Sequence, residues 1–275
     1  MRPAADPRAK MTPMPLDVDQ AAIVITGAGR GIGRALAETF QAAGARVVIN
    51  DLDAEACAHT ADELGVLGVA GDAASAEGVE GLLAAARAEL GPIDVFCANA
   101  GIEAGGDSSD TGWQRSWDVN VMAHVRAFRA LEPEWLERGS GRFVATVSAA
   151  GLLTMPGAAA YSATKHAALA HAEWLSVTYG DRGIVVQALC PLGVRTDMVR
   201  LDSPEGAIVL GPTLIEAADV AAEVLDAFAD DRFLILPHAQ VRDFYAGRAL
   251  DTDRWLAGMR RVQASIDAFG VRPSE

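Results

Sequence analysis

The chain is predicted to form an α/β fold, a doubly wound seven-stranded parallel sheet with helices on both faces, and two observations carry that prediction. From Ala21 onward, short β-branched runs alternate with Ala-rich amphipathic stretches, as repeated strand–helix–strand units require. A single glycine cluster, Thr26-Gly27-Ala28-Gly29-Arg30-Gly31-Ile32-Gly33, follows the first run and opens the first amphipathic stretch. One domain is therefore expected in the 275 residues.

The first strand is expected at 23–26, where Ile23, Val24 and Ile25 form the unbroken apolar run of a strand buried on both faces. A helix near 32–43 follows the glycines. The second strand, 47–50, leads to Asp51 and then to Asp53, which stands where an N-cap would be for a helix at 54–64. The third strand, 66–70, runs through Gly71 and Asp72 toward a helix at 77–90. The fourth, 95–98, ends on Asn99-Ala100-Gly101, after which one long helix is expected over 113–137. The fifth, 142–148, ends on Ser148, and a helix at 160–179 carries Tyr161 and Lys165. The sixth strand at 185–189, a helix at 217–229 and a seventh strand at 233–236 complete the sheet.

Two stretches break the rhythm. Residues 198–212 hold Pro204, Gly206, Gly211 and Pro212 and are long for a strand-to-helix connection, as lids and binding loops are. In the C-terminal extension, 239–270, Phe244, Tyr245, Leu250, Trp255, Leu256, Met259, Val262 and Ile266 recur at near-helical intervals. That face can cover a pocket, meet another subunit or simply close the core. Residues 1–19, with four prolines and mixed charge, are expected to be a loose tail before a single domain over 20–275.

Composition narrows the function. Half of the residues (51%) are hydrophobic, enough for a buried core, while no apolar run approaches the roughly 18 residues of a membrane span. Lys and Arg total 23 against 37 Asp and Glu, a net charge of −14 that repels nucleic acid and anionic lipid. Cys57, Cys97 and Cys190 are far apart in apolar settings and suggest buried free thiols in a reducing cytoplasm. No metal site is expected: His166 and His171 lie on different sides of a helix, and His59, His124 and His238 fall in separate segments.

The glycine cluster fits Thr-Gly-x-x-x-Gly-x-Gly through Gly27, Gly31 and Gly33. Between a strand and a helix, such glycines let backbone amides from Arg30 through Ile32 to Gly33 approach a pyrophosphate at the positive helix end. Asp51, eighteen residues after Gly33, stands where a carboxylate can bond both ribose hydroxyls and would repel a 2′-phosphate; the neighbouring Leu52 offers no cation. NAD is thus favoured, with NADP the lesser alternative through Arg30. Asp72, with Ala73 beside it, can accept from the adenine amino group or merely close a turn. Asn99, Ala100 and Gly101 add a small-residue strand end where backbone and cofactor approach closely.

Thr26–Gly33, Asp72, Asn99–Gly101, Asn120, Ser148, Tyr161 and Lys165, in that order and spacing, resemble the short-chain dehydrogenase/reductase family over roughly 21–236. The resemblance implies a Rossmann-type fold, a nicotinamide cofactor and a catalytic set of Ser148, Tyr161 and Lys165 extended by Asn120. It further implies that Lys165 holds the nicotinamide ribose, that Asn120 supports a water relay, and that Pro191, Val194 and Thr196 contact the cofactor. Leu192 stands where the family has glycine, which puts the local backbone shape in question because leucine tolerates positive φ poorly. The physical chemistry agrees with these roles. Tyr161 and Lys165 share a helix face, and a tyrosine of ordinary pKa near 10 becomes a base only when nearby positive charge stabilises phenolate.

The expected activity is hydride transfer between NAD and a hydrophobic secondary alcohol or ketone, with Glu103, Leu152, Leu153, Met155 and Leu192 as pocket wall. Two rivals stand beside it: an NADPH-dependent ketone reductase of a biosynthetic pathway, and a dinucleotide-sensing protein without turnover. The resemblance also implies a homo-oligomer, dimer or tetramer, for which Ala168, His171, Trp174 and Leu175 are the expected contact residues.

Overall fold

The computed structural model describes residues 16–103, 109–204 and 206–269. Its first half runs β1 (Ala22–Thr26), α1 (Gly31–Ala42), β2 (Arg46–Asp51), α2 (Ala54–Leu64), β3 (Leu67–Ala70), α3 (Ala76–Leu90), β4 (Val95–Ala98), α4 (Asp110–Trp117) and α5 (Ala123–Arg138). The second half runs β5 (Gly141–Thr146), α6 (Ala150–Leu153), α7 (Ala159–Tyr179), β6 (Ile184–Leu189), α8 (Ala217–Asp226), β7 (Leu234–Ile235), α9 (Gln240–Leu250) and α10 (Thr252–Asp267). All seven strands pair in parallel in the order β3-β2-β1-β4-β5-β6-β7. The order reverses between β1 and β4, which opens a crevice at the carboxyl ends of those strands.

Alternation along the strands builds the two cores. Val24, Val48, Phe96 and Phe143 face α3, α5 and α7, where Leu82, Leu131, Trp135 and Leu175 are buried with them. Ile23, Ile25, Ile49, Cys97 and Val144 point to the other face, against Leu36 and Phe40 of α1 and Val220 and Val224 of α8. Trp135 also donates its indole N–H to Ile93 O at 2.7 Å, so the largest buried side chain leaves no polar atom unpaired.

Five expectations need correction. The helix expected over 113–137 is interrupted by a π-helical turn, Asp118–Met122, that separates α4 from α5. The fifth strand ends at Thr146, leaving Ser148 in the connection beyond it, and the seventh strand keeps only two residues. The C-terminal extension is two helices broken at Asp251, whose side chain caps the second by accepting from Arg254 N. Leu16 and Val18, within the stretch read as tail, pack against the core; residues 1–15 lie outside the described residues.

One buried cation braces the last two strands. Arg142 of β5 is 3% exposed, bonds Gln187 of β6 at 2.8 Å and Asp231 before β7, and lies over the Phe228 ring. Removing the carboxylate strands a buried charge. Asp231→Ala should therefore lower unfolding free energy in urea by about 3 to 5 kcal/mol, whereas Asp230→Ala, which loses an exposed pair with Arg232, should cost under about 1 kcal/mol.

Candidate active site at the carboxyl edge of the sheet

The glycine loop is held from below by neighbouring strands. A side chain at Gly27 would meet Ala100 Cα at 2.8 Å, and one at Gly33 would meet Gly27 O at 2.2 Å, so these positions admit no Cβ without backbone displacement. Gly27 and Gly31 also take positive φ, 62° and 56°. No side chain caps the first turn of α1, so the helix start is open to an anion through its amides, as a pyrophosphate requires.

Beside this cradle, Asp51 is aimed by two amides: Oδ2 accepts from Gly29 N at 2.9 Å and Oδ1 from Asp53 N at 3.0 Å. Asp53 caps α2 as expected and also holds Arg30 at 2.7 Å, which draws that guanidinium to the acid side of the loop. Asp72 closes a turn through Ala74 N while its segment still lines the cleft.

Asn99 carries more of the structure than a close-approach position would. Its amide donates to Thr26 O and Gly27 O at 3.0 and 3.1 Å, and its Oδ1 accepts from Thr146 Oγ1 at 3.1 Å. Thr26 Oγ1 in turn accepts from Asn99 N and Ala100 N. Three strand ends are thereby tied together by two side chains.

Tyr161, Lys165, Ser148 and Asn120 converge on the far side of that knot. Asn120, fully buried in the π turn, accepts from Ile102 N and donates to Ile102 O and Thr164 Oγ1. A Cβ on Gly101 would stand 3.2 Å from Lys165 Nζ and 3.3 Å from Asn120 Oδ1, so glycine keeps the space in which these groups meet. Lys165 Nζ donates to Thr146 O at 2.9 Å and lies 5.6 Å from the centre of the Tyr161 ring. The Ser148 hydroxyl bonds the Tyr161 hydroxyl and accepts from Ala150 N at 3.0 Å.

Burial acts on both members of the Tyr161–Lys165 pair. Burial raises the Tyr161 pKa, the Ser148 hydrogen bond opposes it, and the Glu103 carboxylate adds to the rise. Burial also pushes the Lys165 ammonium down to about 8. Cys190 lies against the same set, its thiol pushed up to about 12 by burial; Cys57 and Cys97 are likewise buried and free, as expected.

The conflict anticipated at Leu192 is absent. Among described non-glycine residues only Gln20, Thr154 and Asp231 have positive φ, and the 191–193 turn is held instead by His238. Its Nδ1 accepts from Leu192 N at 3.1 Å, and its Nε2 faces the carbonyls of Gly193 and Thr213 at 3.1 and 2.8 Å. Sequence reasoning missed this residue, and a single histidine 46 positions away offers no local signal. Arg248 of α9 was missed too: it donates to Leu152 O and meets His166 Nε2 at 3.0 Å, next to Lys165.

One cleft of about 1770 Å³ joins most of this; Asn120 and Gly33, both expected at the site, are not in its lining. That volume exceeds the roughly 300 to 1,000 Å³ of a single small-molecule pocket, leaving room for a dinucleotide and a second molecule. Gly27, Arg30, Gly31, Ile32, Asp51, Leu52, Asp72, Ala73, Asn99, Ala100 and Gly101 line it together with Ser148, Tyr161, Lys165, Pro191, Val194 and Thr196. Glu103, Leu153, Met155 and Leu192 line it as well, whereas Leu152 is turned into the core. Residues of 198–212 and of α9 and α10 form the outer wall. Two expected subunit contacts are corrected: Ala168 and Leu175 are fully buried in this chain's own core, while Trp174 and Val177 are exposed at 56% and 87%. No three metal-ligating side chains cluster, and no helix is long and apolar enough to cross a membrane, among the described residues.

Known proteins resemble this chain. The family model described as short chain dehydrogenase matches residues 21–205. A 1-deoxy-11-beta-hydroxypentalenate dehydrogenase of Streptomyces exfoliatus is 39% identical over 235 residues, covering 80% of this chain and 84% of that protein. A 2-(R)-hydroxypropyl-CoM dehydrogenase of Xanthobacter autotrophicus is 35% identical over 224 residues, covering 74% of this chain and 88% of that protein. A short chain dehydrogenase/reductase from Burkholderia phymatum, solved in complex with NAD, superposes with a TM-score of 0.80 at 30% identity, covering 86% of this chain and 96% of that one.

Behind Lys165, His124 is buried against Phe143, and neither ring nitrogen has a partner among the described residues. Burial, with Lys165 adding, pushes its pKa down to about 3 from 6.5. The folded state therefore holds it neutral, and stability is lost as pH falls below 6.5 because only the unfolded chain takes the proton. Urea unfolding of His124→Leu and the parent should diverge in the variant's favour by about 1.4 kcal/mol per pH unit below 6.5. A constant difference between pH 7 and 4.5 would contradict this.

Proposed function

Because the chain belongs to the short-chain dehydrogenase family, and is an oxidoreductase of that family that binds a nicotinamide dinucleotide, we propose that it uses NAD to interconvert a hydrophobic secondary alcohol and its ketone. The observation that carries this reading is that Ser148, Tyr161 and Lys165 line one cleft with the anion-ready start of α1, while Asn120, buried just behind, meets Lys165 across the bare Gly101. When bound, the nicotinamide accepts or returns the hydride.

This chain's residues manage the proton and the alignment. Ser148 holds the substrate oxygen beside Tyr161, which fixes the reacting carbon. In the oxidation direction the Tyr161 phenolate takes the hydroxyl proton as the carbon–hydrogen bond gives up its electron pair, so a carbonyl forms and charge is conserved; reduction reverses each transfer. Lys165 favours the phenolate by its charge, and its bond to Thr146 O keeps the ammonium in place. Asn120 fixes the 102 loop against α7, and a proton relay through it belongs to the same proposal.

Support for NAD over NADP comes from Asp51, whose carboxylate two amides aim along the cleft, and from Arg30, which Asp53 and Asp197 engage. The dehydrogenase of Burkholderia phymatum was solved with NAD. Support for an apolar alcohol comes from Leu153, Met155 and Leu192 in the wall, and both curated relatives carry a hydroxy compound in their names. Assembly as a dimer or tetramer through exposed Trp113, Trp117 and Trp174 is part of the same reading.

Production of NADH with a panel of secondary alcohols is the direct test. Tyr161→Phe should cut kcat by about 100-fold to 10,000-fold while NADH binding, followed by fluorescence titration, is retained. Unchanged turnover in that variant would rule out Tyr161 as the proton carrier. Asp51→Ala should reduce the NAD-over-NADP preference in kcat/KM by about tenfold to a hundredfold, the weight of hydrogen bonds to a charged group.

A further inference from the structure

The outer wall of the cleft carries two exposed cations, Arg254 and Arg261, that pair with no described residue. On α10, Arg254, Gly258 and Arg261 follow one another at helical spacing, as do Trp255, Met259 and Val262 beside them, and all six line the cleft. Gly258 leaves a gap in the first row: the one heavy atom within 4 Å of where its Cβ would stand is Arg261 Nη2, at 3.7 Å. The guanidinium thus lies over bare backbone rather than over a side chain. Among the described residues neither Arg254 nor Arg261 has a side-chain hydrogen bond or ion pair, although most other arginines are engaged. The acids nearby are placed otherwise. Asp251 caps α10, Asp118 receives Gln114 and Arg126, and Asp243 stands exposed on α9.

We propose that the substrate is a hydrophobic alcohol or ketone bearing a carboxylate at the end remote from its reacting carbon, and that Arg254 and Arg261 bind that carboxylate across Gly258. The proposal rests on the oxidoreductase reading and sharpens it. A planar guanidinium matches a carboxylate in a forked pair, and two of them flanking a gap can share one anion. Trp255, Met259 and Val262, beside the two arginines on the same helix, then cover the apolar body.

The test is binding of decanoate and of methyl decanoate to the NADH-loaded protein by calorimetry at low salt. Decanoate should bind about tenfold or more tightly than the ester, and the double variant R254A/R261A should erase that margin, a loss of about 1.4 kcal/mol or more. R254K/R261K should keep part of it and show that folding is intact. Gly258→Glu, which sets a carboxylate between two unaltered arginines, should erase it as well. Equal binding of acid and ester to the parent, or a margin that survives R254A/R261A, would overturn the proposal. Turnover on the alcohol panel without any acid preference would remove the subsite alone; an arginine-dependent preference without turnover would remove the oxidoreductase reading alone.

Discussion

Everything functional in this molecule hangs on the amide of Asn99. From the end of β4 it holds the backbone of Thr26 and Gly27 on one side and the hydroxyl of Thr146 on the other. The Thr146 carbonyl then takes the Lys165 ammonium. A continuous run of hydrogen bonds therefore connects the glycine loop to the helix that carries Tyr161. Each link is buried or half-buried, where an unmade bond is costly, so the glycine loop and the Tyr161–Lys165 pair are held to one another.

The sheet was legible because parallel strands buried on both faces leave unbroken apolar runs, as in Ile23–Ile25 and Val47–Ile49. The helix cap at Asp53 is equally local. Legibility ended where geometry depends on distant partners. The π turn around Asn120 leaves no mark in the hydrophobic pattern, since both flanking helices keep their periodicity through it. The two-residue β7 and the break at Asp251 are likewise settled by packing and capping rather than by propensity.

The candidate site divides the same way. Its residue types and spacing along the chain could be read, and the fold gathers them into one cleft. Their electrostatics could not, because the rise at Tyr161 and the fall at Lys165 come from burial, a property of the whole packed structure. Nor could the support of the 191–193 turn, where Leu192 sits without strain because His238 arrives from beyond β7. Sequence spacing finds groups that act together; it does not find the side chain that props them from another element.

Arg248 binds the last helices to this machinery. Its guanidinium hangs from the carbonyl of Leu152, four residues past Ser148, and from the ring of His166, one residue past Lys165. That ring faces the Ser162 carbonyl through Nδ1, so it offers Arg248 a lone pair only as one neutral tautomer. One guanidinium thereby ties α9, part of the outer wall of the cleft, to the segments that flank both Ser148 and Lys165.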